Sequence, residues 1–108
     1  MSLVTTHVLD TAAGKPAAGI AVRFERVDGT GGTPIAEGVT DDDGRVRDLG
    51  PDTLEPGVYR LVFDTGAYLG PEAFFPDVTI AFRIADGSSH HHVPVLLSPF
   101  AYSTYRGS

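Results

Sequence analysis

The stretch HHHVPVLLSPFAYSTYRGS, residues 90–108, decides the fold. Val93, Val95 and Leu97 alternate with Pro94, Leu96 and Ser98, the period of two that sends successive side chains to opposite faces of a β-strand. The same alternation groups His91 with the valines and puts His90 and His92 together on the other face. Two imidazoles are therefore expected to look out side by side, away from the apolar face. Ser98, Pro99 and Phe100 interrupt this strand, and Tyr102, Thr104 and Arg106 then alternate with Ser103 and Tyr105 as a second extended segment.

Working outward, the rest of the chain carries the same punctuation. Thirteen glycines and eight prolines fall between short alternating runs, the pattern of an all-β sandwich and not of a helical or α/β domain. About eight strands in two sheets and one short helix are expected. Strands are predicted at residues 3–9, 20–27, 35–40, 58–63 and 78–84, besides one beginning at Arg45 and the two at the end. Ile20, Val22 and Phe24 share one face, and Arg23 and Glu25 turn the other way. Residues 10–16 and 28–34 read as loops, residues 41–44 (DDDG) as a turn that delivers Arg45, and residues 66–70 as a single helical turn.

Composition narrows the function. A chain of 108 residues with 42% hydrophobic and 20% charged residues is expected to form one folded domain, 1–108, around one core. A net charge of -6 argues against nucleic acid as partner, because phosphate binding needs a basic patch. Without cysteine there is neither a disulfide framework nor thiol chemistry. No stretch approaches the roughly 20 apolar residues that span a bilayer, so no membrane partner is expected. The first residues lack the basic and long apolar regions of a secretory signal, which points to the cytoplasm.

Several blocks carry a resemblance: Thr6-His7-Val8-Leu9-Asp10, Gly14-Lys15-Pro16-Ala17, Asp43-Gly44-Arg45, Asp64-Thr65-Gly66-Ala67-Tyr68, Phe75-Pro76-Asp77-Val78, and above all the closing Tyr105-Arg106-Gly107-Ser108. Through them nearly the whole chain resembles the 5-hydroxyisourate hydrolases of the transthyretin family. The resemblance implies a transthyretin-like β-sandwich that hydrolyses 5-hydroxyisourate to 2-oxo-4-hydroxy-4-carboxy-5-ureidoimidazoline in urate breakdown, with no metal or organic cofactor. It also implies a homotetramer with substrate sites at the interface between dimers. His7, Arg45, His92 and Ser108 are the catalytic residues it implies, and His7, Arg45, Tyr105, Arg106 and Gly107 those that bind substrate. Tyr105 and Ser108 would close the pocket, with Arg106 and Gly107 holding the tail in place.

The chemistry of these residue types agrees with that implication. Opening a cyclic amide with water needs a group to take the water's proton, a donor for the leaving nitrogen and stabilisation of an oxyanion. His7 and His92 titrate near neutrality and can serve either proton role; the sequence leaves open which does which, and whether His90 or His91 shares the work. Arg45 stays cationic and offers a planar fork of donors suited to carbonyl oxygens. Read one at a time, His7 would be an edge-strand residue and Arg45 a turn residue paired with Asp41, Asp42 or Asp43. A metal reading of His90-x-His92 lacks a third ligand at useful spacing. The rival to the enzyme is a transthyretin-like carrier that binds a small molecule without acting on it.

Overall fold

A computed structural model describes residues 2–108. Nine strands and one helix follow in order: β1 (Val4–Asp10), β2 (Lys15–Pro16), β3 (Ala21–Asp28), β4 (Gly31–Val39), β5 (Arg45–Val46), β6 (Gly57–Phe63), α1 (Thr65–Leu69), β7 (Val78–Ile84), β8 (His91–Ser98) and β9 (Ala101–Thr104). They make two sheets. One runs β2-β1-β8-β9, with β5 also pairing β1, and the other runs β4-β3-β6-β7. The contact of β1 with β8 is parallel, whereas the other pairings among the described residues are antiparallel.

The alternation read from the sequence becomes the two walls of the core. Val4, Val8, Val93, Val95 and Leu97 of one sheet bury themselves against Val22, Phe24, Tyr59, Leu61 and Phe63 of the other. Burying each of these side chains stabilises the fold by roughly 1.5–3 kcal/mol relative to leaving it in water. The Phe24 and Tyr59 rings stack with centroids 5.5 Å apart, which locks the centre of the second sheet. The sandwich, the short helix and the placement of His91 on the apolar face are as the sequence led one to expect.

Three features differ from the sequence reading, each for a physical reason. Residues 28–34 are not a loop: β4 begins at Gly31, in a tight hairpin that pairs Gly31 with Asp28 and Gly32 with Val27. Glycines carry no side chain to alternate, and Pro34 is tolerated because the register shifts between Phe24 and Glu25, opposite it. Lys15 and Pro16, within an expected loop, pair with Asp10 and Leu9. Glu25 points outward as expected but is buried, because the Arg60 Nε donates to its Oε1 at 2.6 Å and Arg23 lies 3.6 Å from its other oxygen. The Arg60 hydrogen bond holds this carboxyl below its ordinary range.

Helix α1 ties two of the resemblance blocks together. Asp64 caps it by accepting from the Ala67 amide, and the Tyr68 hydroxyl donates to Asp10 Oδ2 at 2.7 Å, pinning the helix to the end of β1. That bond, with some burial, pushes the Tyr68 phenol up to about 12. No helix among the described residues is long and apolar enough to cross a membrane.

Candidate active site

The outward face of the first sheet gathers the polar residues, and strand register does the gathering. On β1, Thr5 and His7 are two residues apart and so share that face. Parallel pairing sets Thr5 beside His92 on β8, and antiparallel pairing sets His7 opposite Arg45 on β5. Three strands thus bring two imidazoles and a guanidinium to one patch.

Arg45 owes its position to the turn before it. Asp41 Oδ1 accepts from the amides of Asp43 at 2.9 Å and Arg45 at 3.0 Å, and these bonds hold its carboxyl below the ordinary range. Gly44 has φ 76°, and a Cβ there would run into the Val8 carbonyl, so only glycine lets the turn close against β1. Neither Arg45 nor Arg47 makes a salt bridge among the described residues. No close ion pair with Asp41, Asp42 or Asp43 forms among the described residues; Asp41 shapes the backbone of the turn instead.

His7 donates from Nε2 to the Asp43 carbonyl at 2.8 Å. A carbonyl only accepts, so the proton lies on Nε2 and the lone pair of the neutral ring on Nδ1. His92 is half-buried, with Nδ1 2.8 Å from the Thr5 hydroxyl. Its pKa lies below the ordinary 6.5, first because burial disfavours the charged ring, then because Arg45, His90 and His7 add positive charge nearby. His92 is accordingly a neutral imidazole at neutral pH. His91 takes no part: it is buried on the apolar face and donates from Nδ1 to the Ser89 carbonyl at 2.5 Å.

The tail folds back onto this patch. The Gly107 amide donates to the His92 carbonyl at 2.8 Å, and a Cβ on Gly107 would come within 2.6 Å of His92 Cδ2. Glycine is needed there for close approach. Thr5, Arg45, Arg47, His90, His92 and Ser108 then line a cleft of about 200 Å³. Tyr105 and Arg106 do not reach it. They line a neighbouring cavity of about 320 Å³ with Phe82, Arg83 and Thr104, and His92 borders both. The structure therefore assembles Arg45, His92 and Ser108, with His7 alongside, and sets Tyr105 and Arg106 on the adjoining cavity that shares His92.

Thr5 and Arg47 were not singled out from the sequence. Both stand two residues from a residue that was, Thr5 from His7 and Arg47 from Arg45, so the period-two rule was signal enough. Among the described residues no three His, Cys, Asp or Glu side chains cluster as metal ligands would.

Comparison with known proteins adds to this geometry. Residues 4–107 match the HIUase/Transthyretin family. The chain is 42% identical over 111 residues to the 5-hydroxyisourate hydrolase of Salmonella dublin, covering 99% of this chain and 82% of that protein. The structure of Klebsiella pneumoniae 5-hydroxyisourate hydrolase superposes with a TM-score of 0.85 at 36% identity, over 97% of this chain and 98% of that one. Sea bream transthyretin, in complex with thyroxine, superposes with a TM-score of 0.86 at 33% identity, over 96% and 93% of the two chains.

Proposed function

The chain belongs to the HIUase/transthyretin family, and from that membership we infer that it hydrolyses 5-hydroxyisourate to 2-oxo-4-hydroxy-4-carboxy-5-ureidoimidazoline, a step of urate breakdown, in the cleft beside His92. One observation carries the site assignment: an imidazole held neutral by burial stands next to a guanidinium that makes no salt bridge among the described residues.

The reaction adds the elements of water across a ring amide. The water oxygen bonds to the carbonyl carbon, the carbon–nitrogen bond breaks, and the nitrogen leaves with a proton. Thr5 occupies Nδ1 of His92, so Nε2 is the nitrogen that takes the water's proton and, as imidazolium, hands it to the departing nitrogen. Arg45 faces the oxygen on which negative charge builds, and Ser108 closes the far side of the cleft. His7 stands beside Arg45 with its Nε2–H committed to Asp43, which leaves Nδ1 as the nitrogen that can meet substrate. Gly107 holds the tail against β8.

The homotetramer belongs to the same proposal. The cleft lies on an open sheet face, and a second copy laid over it would exclude water, strengthening the Arg45 charge when it matters. Sedimentation equilibrium tests that assembly. A carrier of a mostly apolar ligand such as thyroxine has no use for a guanidinium and two imidazoles in its cavity, which favours the hydrolase over the carrier. The deciding assay follows the absorbance of 5-hydroxyisourate made fresh from urate with urate oxidase. The protein is expected to speed its loss well above the spontaneous rate; an unchanged rate would overturn the reading.

A further inference from the structure

We propose that Thr5 is a positioning residue whose buried hydroxyl joins His92 to His90 in a one-way hydrogen-bonded chain, and so fixes His92 in the tautomer that can act as a base. The Thr5 Oγ1 lies 2.8 Å from His92 Nδ1 and 3.0 Å from His90 Nε2. Thr5 is only 7% exposed, and the two rings stand 6.3 Å apart at 22° with the hydroxyl bridging them.

A threonine hydroxyl has one proton to give. If it donates to His92 Nδ1, the neutral His92 ring must carry its own proton on Nε2, and the nitrogen free to meet the substrate water has no lone pair. If it donates to His90 Nε2, it accepts from His92 Nδ1–H, and Nε2 of His92 carries the lone pair. Only the second direction yields a base. The same direction also serves the imidazolium, because Nδ1 still donates to Thr5 and Thr5 still donates to His90 after Nε2 has taken its proton. No hydrogen bond in the chain has to reverse during turnover, which is the preorganisation that catalysis rewards. His90 thereby acquires a part: it is the neutral acceptor, protonated on its own Nδ1, that sets the direction. Second partners that orient metal-bound imidazoles typically matter by about 10- to 100-fold, and the same scale is expected here.

The inference rests on the hydrolase reading for its purpose, but its test does not need turnover. Nitrogen-15 NMR of the histidine rings near pH 8 reports which nitrogen is protonated. Wild-type His92 is expected as the Nδ1–H form. Thr5→Val, which keeps the shape and removes the hydroxyl, should return His92 to the Nε2–H form that free imidazole prefers. His90→Phe should do the same by freeing the hydroxyl to donate to His92. Thr5→Ser should keep the Nδ1–H form. With 5-hydroxyisourate, Thr5→Val and His90→Phe should lose about 10- to 100-fold in kcat with little change in KM, and Thr5→Ser should recover most of it. A wild-type His92 found as the Nε2–H form, or a Thr5→Ser variant as impaired as Thr5→Val, would overturn the proposal. Should Thr5→Val fail to fold, the His90→Phe spectrum decides alone. A wild-type protein that leaves 5-hydroxyisourate untouched would instead sink the functional reading, while the tautomer spectrum still judges the chain.

Discussion

His7 and Arg45 are register partners across the antiparallel contact of β1 and β5, yet the His7 ring hydrogen-bonds the carbonyl of Asp43, the second residue before Arg45. The imidazole thus braces the turn that launches the guanidinium. The cationic fork of Arg45 itself makes no salt bridge among the described residues.

That freedom makes Arg45 sensitive to shape as well as to charge. Arg45→Lys keeps the charge but replaces the planar fork with a point ammonium, so kcat should fall about 10²- to 10³-fold while KM changes less. Steady-state kinetics on fresh 5-hydroxyisourate measure both. A loss confined to KM would mean that Arg45 only holds the substrate.

The two neighbouring histidines of β8 should behave differently. His92→Asn removes the ring to which proton transfer is assigned above and should cost roughly 10² to 10⁴ in rate. His91→Phe strips a hydrogen bond from the Ser89 carbonyl on the far side of the sheet and should lower stability by about 1 kcal/mol with activity nearly kept. Thermal melts and turnover on both variants check the pair.

Gly107 tests the tail without removing it. In Gly107→Ala the new methyl meets His92 Cδ2 and Pro94 Cγ, so either the tail lifts or the ring turns. Activity should drop strongly while the thermal midpoint moves little, because the core residues are untouched. Deleting residues 106–108 should give the same split, and a truncated protein with full activity would exclude the tail from the site.

The pH dependence follows from His92, whose pKa in the folded protein lies below the ordinary 6.5. The unfolded chain therefore takes up this proton first as pH falls, so the folded state binds fewer protons in that window. Stability associated with His92 is complete above about 6.5 and is lost as pH drops toward and through the lowered value. The acid limb of kcat/KM should likewise lie below 6.5. The fall of the thermal midpoint on acidification should be shallower in His92→Asn than in the wild type.

Activity should also survive exhaustive chelation. If EDTA abolishes turnover and zinc restores it, His90 and His92 are metal ligands and the proton-transfer role of His92 fails.

Much of this was legible in the residues because one face of each strand is buried and a slip of one residue would invert it. That is why alternation alone sends His91 inward and His92 outward, and why Asp41 to Gly44 announce where Arg45 starts. Thr5 and Arg47 were legible in position but not in chemistry, since a threonine or arginine on a strand face attracts no notice until its neighbours across the ladder are known. The roles of Tyr105 and Arg106 come from the resemblance and not from alternation: the β9 ladder stops at Thr104 and the next pairing with β8 is Gly107 with His92, so counting in twos beyond Thr104 has nothing to refer to. The start of β4 was hidden by Gly31 and Gly32, which have no side chains to reveal a period.

The parallel contact of β1 with β8 carries a consequence for how activity is born. Thr5 and His92 touch although they stand 87 positions apart in the chain. A translating ribosome must deliver β8 before the first-made strand can find its neighbour, and such distant pairings close late and slowly. Catalysis is therefore the last property the molecule acquires. Recovery of turnover after dilution from denaturant should lag the burial of Tyr59 in the sheet of β3, β6 and β7, so the enzyme's own reaction serves as the clock for its final folding step.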